Sequence, residues 1–316
     1  MATFFIKHLT KYTYSSAVID GAILTRLHPI DDGFQKVTSH LISITNNAYI
    51  ETFLDFYNNR VGTFMVTEPH ETLSIISEIE VTTYTKLFPD DTIDITLQWN
   101  ELKRIKKTID YIDFIKPISF KSNEDIKSII LDKMLKTKSP FKAVLELCEF
   151  VYHDFEYKSG ITNVNTPLEE AWELKVGVCQ DFANVLIQMI KLLGIPARYV
   201  SGYICPNENI SRGEGATHAW VEAYIPFYGW LGIDPTNNTI ANDNHVRLAI
   251  GRDYNDCSPV KGVFKGYVEA EMQVNVEISS SKSQTPFTIE SNIVNTETNN
   301  SYQRNLELMQ LQQQQQ

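Results

Sequence analysis

Cysteine is scarce in this 316-residue chain: Cys148, Cys179, Cys205 and Cys257 are the four, and none lies in a C-x-x-C pair or a Cys/His knuckle. That spacing offers no zinc-ligand set and no disulfide framework. Long apolar runs are missing too. No stretch approaches the ~20 apolar residues of a spanning helix, and Met1-Ala2-Thr3-Phe4-Phe5-Ile6-Lys7-His8 lacks the pattern of an export signal. The expectation is a cytoplasmic protein with reduced thiols. No D-x-D-x-D-G loop occurs, so calcium is not expected, and neither metal nor cofactor is implied. Positive charge is also short: 28 Lys+Arg against 39 Asp+Glu leaves a net charge of −11. Such a field repels phosphate backbones and anionic lipid heads, which argues against nucleic acid and membrane as partners.

What is present fits a folded α+β chain, with 43% hydrophobic and 21% charged residues. Residues 1–115 are expected to form a β-rich, sandwich-like domain. Ala22 to Leu27, Val37 to Thr45, Ile50 to Tyr57 and Val61 to Val66 are β-branched or aromatic runs separated by turn residues such as Asp31-Asp32-Gly33 and Asn58-Asn59. Residues 116–278 read as a second domain. Ser122 to Asp125 resembles a capping box ahead of Ile126, Ile129 and Ile130, and Thr166 to Glu169 repeats the pattern. Ser139-Pro140 opens a helix that carries Cys148 on its apolar stripe. From Val268 to Ile278, apolar and polar residues alternate as in a strand with one wet face. Residues 279–316, rich in Ser, Thr, Asn and Gln, are expected to form a disordered tail.

The chemistry centres on one helix. Cys179, Phe182, Ala183, Leu186, Ile190 and Leu193 form one apolar face, and Gly194 with Pro196 marks its end. Cys179 thus stands in the first turn, where free N–H groups and the helix dipole favour an anion. A nucleophilic cysteine also needs an imidazole and a group to orient it. His218, at the head of the alternating run His218 to Tyr224, suits the first role. Asp234, ending the strand Trp230 to Asp234, suits the second.

Four blocks follow in order: Gly177-Val178-Cys179-Gln180-Asp181-Phe182-Ala183, Leu193 to Tyr203 around Gly194-Ile195-Pro196, Thr217-His218-Ala219-Trp220-Val221, and Gly229 to Asn237 around Asp234-Pro235-Thr236-Asn237. Together they resemble the bacterial transglutaminase-like family. Tyr12-Thr13-Tyr14, Leu27-His28-Pro29 and the segment Asp55 to Phe64 are similar to that family's N-terminal region. The resemblance implies a papain-like core in which a central helix bearing cysteine packs on an antiparallel sheet. It places the family's nucleophile on Cys179, its imidazole base on His218 and its orienting carboxylate on Asp234.

The implied reaction is attack on a peptide or carboxamide carbonyl to give a thioester, with a peptide or protein as substrate. Hydrolysis by such a protease or amidase is favoured over protein-glutamine gamma-glutamyl transfer to a lysine, because water is always at hand. A catalytically silent binding or assembly protein is the remaining alternative, which an intact Cys179, His218 and Asp234 disfavours. The sequence carries no signal for oligomeric state.

Overall fold

The computed structural model describes residues 1–205, 217–266, 268–281 and 293–294. In chain order the strands β1 (Ala2–Thr25), β2 (Gln35–Ile44), β3 (Glu51–Leu54), β4 (Arg60–Val66) and β5 (His70–Thr83) come first. Next come helices α1 (Ile95–Ile105), α2 (Ile112–Ile115), α3 (Asn123–Asp132) and α4 (Pro140–Asp154), strand β6 (Glu156–Tyr157), helix α5 (Leu168–Leu174), strand β7 (Val176–Gly177) and helix α6 (Cys179–Leu193). Strands β8 (Ala197–Ile204), β9 (Thr217–Ile225), β10 (Gly229–Asp234), β11 (Thr239–Ile240) and β12 (His245–Gly251) follow, then helix α7 (Tyr254–Cys257) and strands β13 (Val260–Lys265), β14 (Ala270–Ser279) and β15 (Ile293–Val294). No helix among the described residues is long and apolar enough to cross a membrane.

The α+β class is as expected, but the two compact units have other limits than 1–115 and 116–278. Among the described residues, one comprises Met1 with those from 83 to 257, and the other those from 2 to 82 with those from 258 onward. The reason is β1. Its first half pairs with β14, from Phe5 opposite Ser279 to Tyr14 opposite Ala270, and its second half with β13 and β4. A bulge between Ile19 and Ala22, with Asp20 at φ 51°, separates the halves. The expected sandwich is therefore one continuous network of eight strands among the described residues, joined through β1.

Several local expectations need correction. Residues 95–105, assigned to the β-rich domain, form a helix capped by Asp94, which accepts from the Leu97 N–H at 2.9 Å. Ser122 makes no cap hydrogen bond; its hydroxyl donates instead to Glu169 at 3.0 Å, so neither capping box forms. Strand β14 is half-buried along both faces apart from Glu277, so it has no single wet face. Within the stretch expected to be tail, Ile293 and Val294 pair with Gln273 and Met272, while 282–292 and 295–316 lie outside the described residues. Ser139 does cap α4, accepting from the Lys142 N–H, with Pro140 in the first turn.

In the other unit, β8 to β12 make an antiparallel sheet in the order β11-β10-β9-β8-β12. Helix α6 lies against it: Phe182, Ala183, Leu186 and Ile190 share a fully buried core with Ala219, Val221 and Ala223 of β9. Burial of that size is the main term fixing the helix on the sheet.

A buried ionic network ties the sheet together. Glu222 (1% exposed) accepts from the Arg198 guanidinium at 2.6 Å and lies 3.6 Å from that of Arg247, and Arg198 stacks 4.2 Å over the Trp230 ring. Burial alone would raise the Glu222 carboxyl, but Arg198, Arg247 and Lys86 bring it down from 4.5 to about 2. A depressed carboxylate contributes stability that is complete above its unfolded value and is lost as pH falls toward the folded one. Glu222→Gln should therefore destabilise the unit by about 3 kcal/mol at neutral pH and by much less near pH 3. Denaturant unfolding at the two pH values checks this; equal loss at both would show that charge is not the cause.

Candidate active site

Three elements converge on the site. Cys179 opens α6 and is half-buried, whereas Cys148, Cys205 and Cys257 are buried. The approach to Cys179 is held by Asp181, 2% exposed, which accepts from the Val178 N–H at 2.9 Å and from the Thr162 hydroxyl at 2.7 Å. Gly177 is needed there, because a Cβ would fall 2.5 Å from the Asp181 Oδ2. Burial holds the Asp181 carboxyl above its ordinary value in spite of those donors. The Gln180 side chain donates to the Val164 carbonyl at 3.2 Å, fastening the preceding loop beside the cysteine.

His218 and Asp234 come from neighbouring antiparallel strands, with Val221 opposite Ile233. Both are buried, and His218 Nε2 lies 2.9 Å from Asp234 Oδ2. The turn after Asp234 folds back on it: the Thr236 N–H donates to Oδ1 at 2.9 Å and the Asn237 amide to Oδ2 at 2.8 Å. Proline at 235 ends the strand, and the next two residues satisfy its last carboxylate. Burial would depress the His218 imidazole, but Asp234 and then Cys179 outweigh it, holding the ring well above the usual histidine value. The same ion pair, helped by His245, holds Asp234 far below the carboxylate range against the opposing effect of burial. His218 Nδ1 is buried without a hydrogen-bond partner.

Two neighbours were not singled out by the sequence. His245, at the start of β12, places Nε2 3.3 Å from the same Oδ2 of Asp234 and Nδ1 2.7 Å from the Asn244 carboxamide. Trp220, fully buried, stacks on His218 at 6.1 Å and stands edge-on to His245 at 5.1 Å. Cys148 is the core residue its helical stripe implies, and its thiol donates to the Asp234 carbonyl at 3.6 Å. Metal-ligand atoms of His218, Asp234 and His245 lie within 4.8 Å of one another. Since Oδ2 already faces the Nε2 of both histidines and the Asn237 amide, the geometry is that of a hydrogen-bonded cluster.

Comparison with known proteins bears on the same residues. The model of the transglutaminase-like superfamily matches residues 129–235, and that of the bacterial transglutaminase-like N-terminal region matches 4–82. An uncharacterised Mycobacterium tuberculosis protein is 30% identical over 293 residues, covering 85% of this chain and 89% of its own. The chain belongs to the transglutaminase-like superfamily. A candidate cysteine protease of Cytophaga hutchinsonii shares its transglutaminase-like fold at a TM-score of 0.67 and 24% identity, over 93% of this chain and 96% of that one. A protein-glutamine gamma-glutamyltransferase of Pseudomonas aeruginosa is 32% identical over 97 residues, which are 28% of this chain and 14% of that protein. The transglutaminase-like core match takes in Cys179, His218 and Asp234 and stops short of His245.

Proposed function

We propose that this protein is a cysteine-dependent acyl-transfer enzyme that opens peptide or carboxamide bonds through a thioester, with water as the usual acceptor. The observation that carries the reading is the His218 ring, clamped through Nε2 to Asp234 at 2.9 Å with Nδ1 buried and unpaired while Cys179 acts on the same imidazole. A thiolate beside an imidazolium at a helix start is the arrangement in which a cysteine becomes a nucleophile.

The Cys179 sulfur attacks the carbonyl carbon, and the backbone N–H of Cys179 at the helix start receives the oxyanion, a contact typically worth ~3 kcal/mol. His218 gives its Nδ1 proton to the departing nitrogen, the C–N bond breaks, and ammonia or an amine leaves. Water then attacks the thioester, yielding its proton to His218, and the carboxylic acid departs as the thiolate returns. A lysine amine in place of water would give an isopeptide bond, the reading that the Pseudomonas relative favours. Water prevails unless a site admits the amine and excludes solvent.

Brief iodoacetamide treatment from about pH 5 to about pH 9, read by intact-protein mass and mapped by site, tests the pair. Labelling should be fast at acidic pH, confined to Cys179 and lost in His218→Ala. The remaining thiols should stay silent, being buried, and burial pushes Cys148 and Cys205 well above the ordinary thiol range. Slow labelling of Cys179 that His218→Ala leaves unchanged would defeat the enzyme reading in favour of a binding or assembly role. With the pair established, competition between water and a lysine donor for the thioester separates hydrolysis from transfer.

A further inference from the structure

We propose that His245 is a positioning residue for this reaction: its Nε2–H competes with that of His218 for one oxygen of Asp234, and so limits how firmly the imidazolium facing the sulfur is held. The inference rests on the acyl-transfer reading, because it concerns the proton that His218 must give to the leaving nitrogen.

The argument begins with the crowding of one oxygen. Oδ2 of Asp234 has His218 Nε2 at 2.9 Å, His245 Nε2 at 3.3 Å and the Asn237 amide at 2.8 Å, whereas Oδ1 has the Thr236 N–H at 2.9 Å. A carboxylate is an acceptor only, so an attractive contact from His245 requires the proton on its Nε2. Each donor that shares an oxygen draws on the same negative charge, and the others are held less tightly for it. Without His245, more of that charge would face His218.

The sign is the same in either protonation state of His245. As a neutral ring with its proton on Nε2 it withdraws charge from Oδ2, the Asn244 carboxamide then turning its NH2 to Nδ1; as a cation, with Asn244 Oδ1 accepting from Nδ1, it also repels the His218 imidazolium. Burial keeps His245 below its ordinary value, against the pull of Asp234 and Asp243. The groups that face this pair are few among the described residues. Cys179 from α6 and Asp234 from β10 act on His218; Asp234, His218 and Asp243 act on His245; Cys148 of α4 reaches only the Asp234 carbonyl. Asp243 is itself 3.4 Å from the Met1 ammonium.

His245 is also fixed in place. It is 5% exposed, its backbone pairs with Ile204 of β8, Asn244 holds its Nδ1, and its ring makes a T-shaped contact with the same Trp220 that stacks on His218. The functional consequence follows from general acid catalysis, in which a proton held too firmly is given up too slowly. Asp234 alone, in so dry a setting, would hold the imidazolium too well. His245 moderates that grip, leaving His218 charged enough to support the thiolate and acidic enough to protonate an amine.

The test needs no substrate. In full-length protein labelled with ¹⁵N-histidine, two-bond ¹H–¹⁵N correlation spectra follow each imidazole through a pH titration, and His218→Ala assigns the His218 signal. His245→Leu, which keeps the core filled, and His245→Ala should each move the His218 midpoint up by at least about half a pH unit. His245→Gln, which restores an N–H donor, should bring it back near the wild-type value. A midpoint unchanged or lowered in the folded Leu and Ala variants, or one that Gln fails to restore, overturns the inference. Iodoacetamide labelling of the same samples keeps the two readings apart: wild-type Cys179 that labels no faster than its His218→Ala counterpart defeats the acyl-transfer reading, whatever the titration shows.

Discussion

Replacing Cys179 with alanine is expected to abolish thioester formation and turnover in a protein that unfolds like the wild type. The chemistry has no substitute for the sulfur. Cys148, Cys205 and Cys257 are buried elsewhere in the core, and removing the nucleophile of a triad costs at least ~10⁴-fold in rate. The fold should hardly notice. Cys179 is the first residue of α6 and half-buried, alanine is the best helix former, and the capping contacts there belong to Asp181 and Thr162. The stability change should stay below about 1 kcal/mol. An activated amide or ester probe, read by intact mass, should leave an acyl adduct on the wild type and none on Cys179→Ala. An adduct of equal yield on the variant would sink the mechanism.

The largest structural effect is expected at Gly202, a residue with no chemistry of its own. On β8 it sits opposite His218 of β9 on one side and Arg247 of β12 on the other. A Cβ built there would fall 2.1 Å from the Val246 carbonyl oxygen and 2.6 Å from the Trp220 ring. The oxygen belongs to backbone and cannot swing aside. Relief requires β12 to move off β8, carrying His245 with it, and Trp220 to leave its place beside both histidines. Gly202→Ala should cost about 5 kcal/mol, at the far end of single-substitution effects, and lower Tm by roughly 10 to 20 °C. Gly33→Ala is the control, since nothing lies within 4 Å of a Cβ at that position. Similar melting of the two variants would mean that this close approach does not constrain the sheet.

Much of the site could be read from local pattern. The apolar period marked α6 from Cys179 to Leu193, Gly194 stopped it in a left-handed conformation at φ 97°, and alternation marked β9 and β10. Those features suffice to bring His218 beside Asp234, because consecutive strands joined by a short turn pair with each other. His245 escaped for the complementary reason. Its strand follows β11 in the chain but lies beside β8 at the other edge of the sheet, a choice made by the whole sheet and by no period within residues 245–251. The same holds for the unit limits. Nothing local in Val260–Lys265 or Ala270–Ser279 says that their partner is a strand that begins at Ala2. Ser122 and Thr166 show a milder failure, since a capping pattern is only an offer of hydrogen bonds, and Glu169 accepts from the Ser122 hydroxyl.

The pairing of β1 with β14 also sets a schedule for synthesis. As the chain leaves the ribosome, residues 2–82 emerge first, yet the edge of β1 from Phe5 to Tyr14 waits for a partner that ends at Ser279. Everything from residue 83 to residue 257 is made in between and has its own core to collapse around. The unit that carries Cys179 can therefore mature as a folded insert while the β-rich unit that flanks it in sequence stands unfinished, with an open strand edge exposed to other nascent chains. Closure of the first strand by one of the last makes completion of the β-rich unit a late event, and the interval before it is where this protein is most exposed to misassembly.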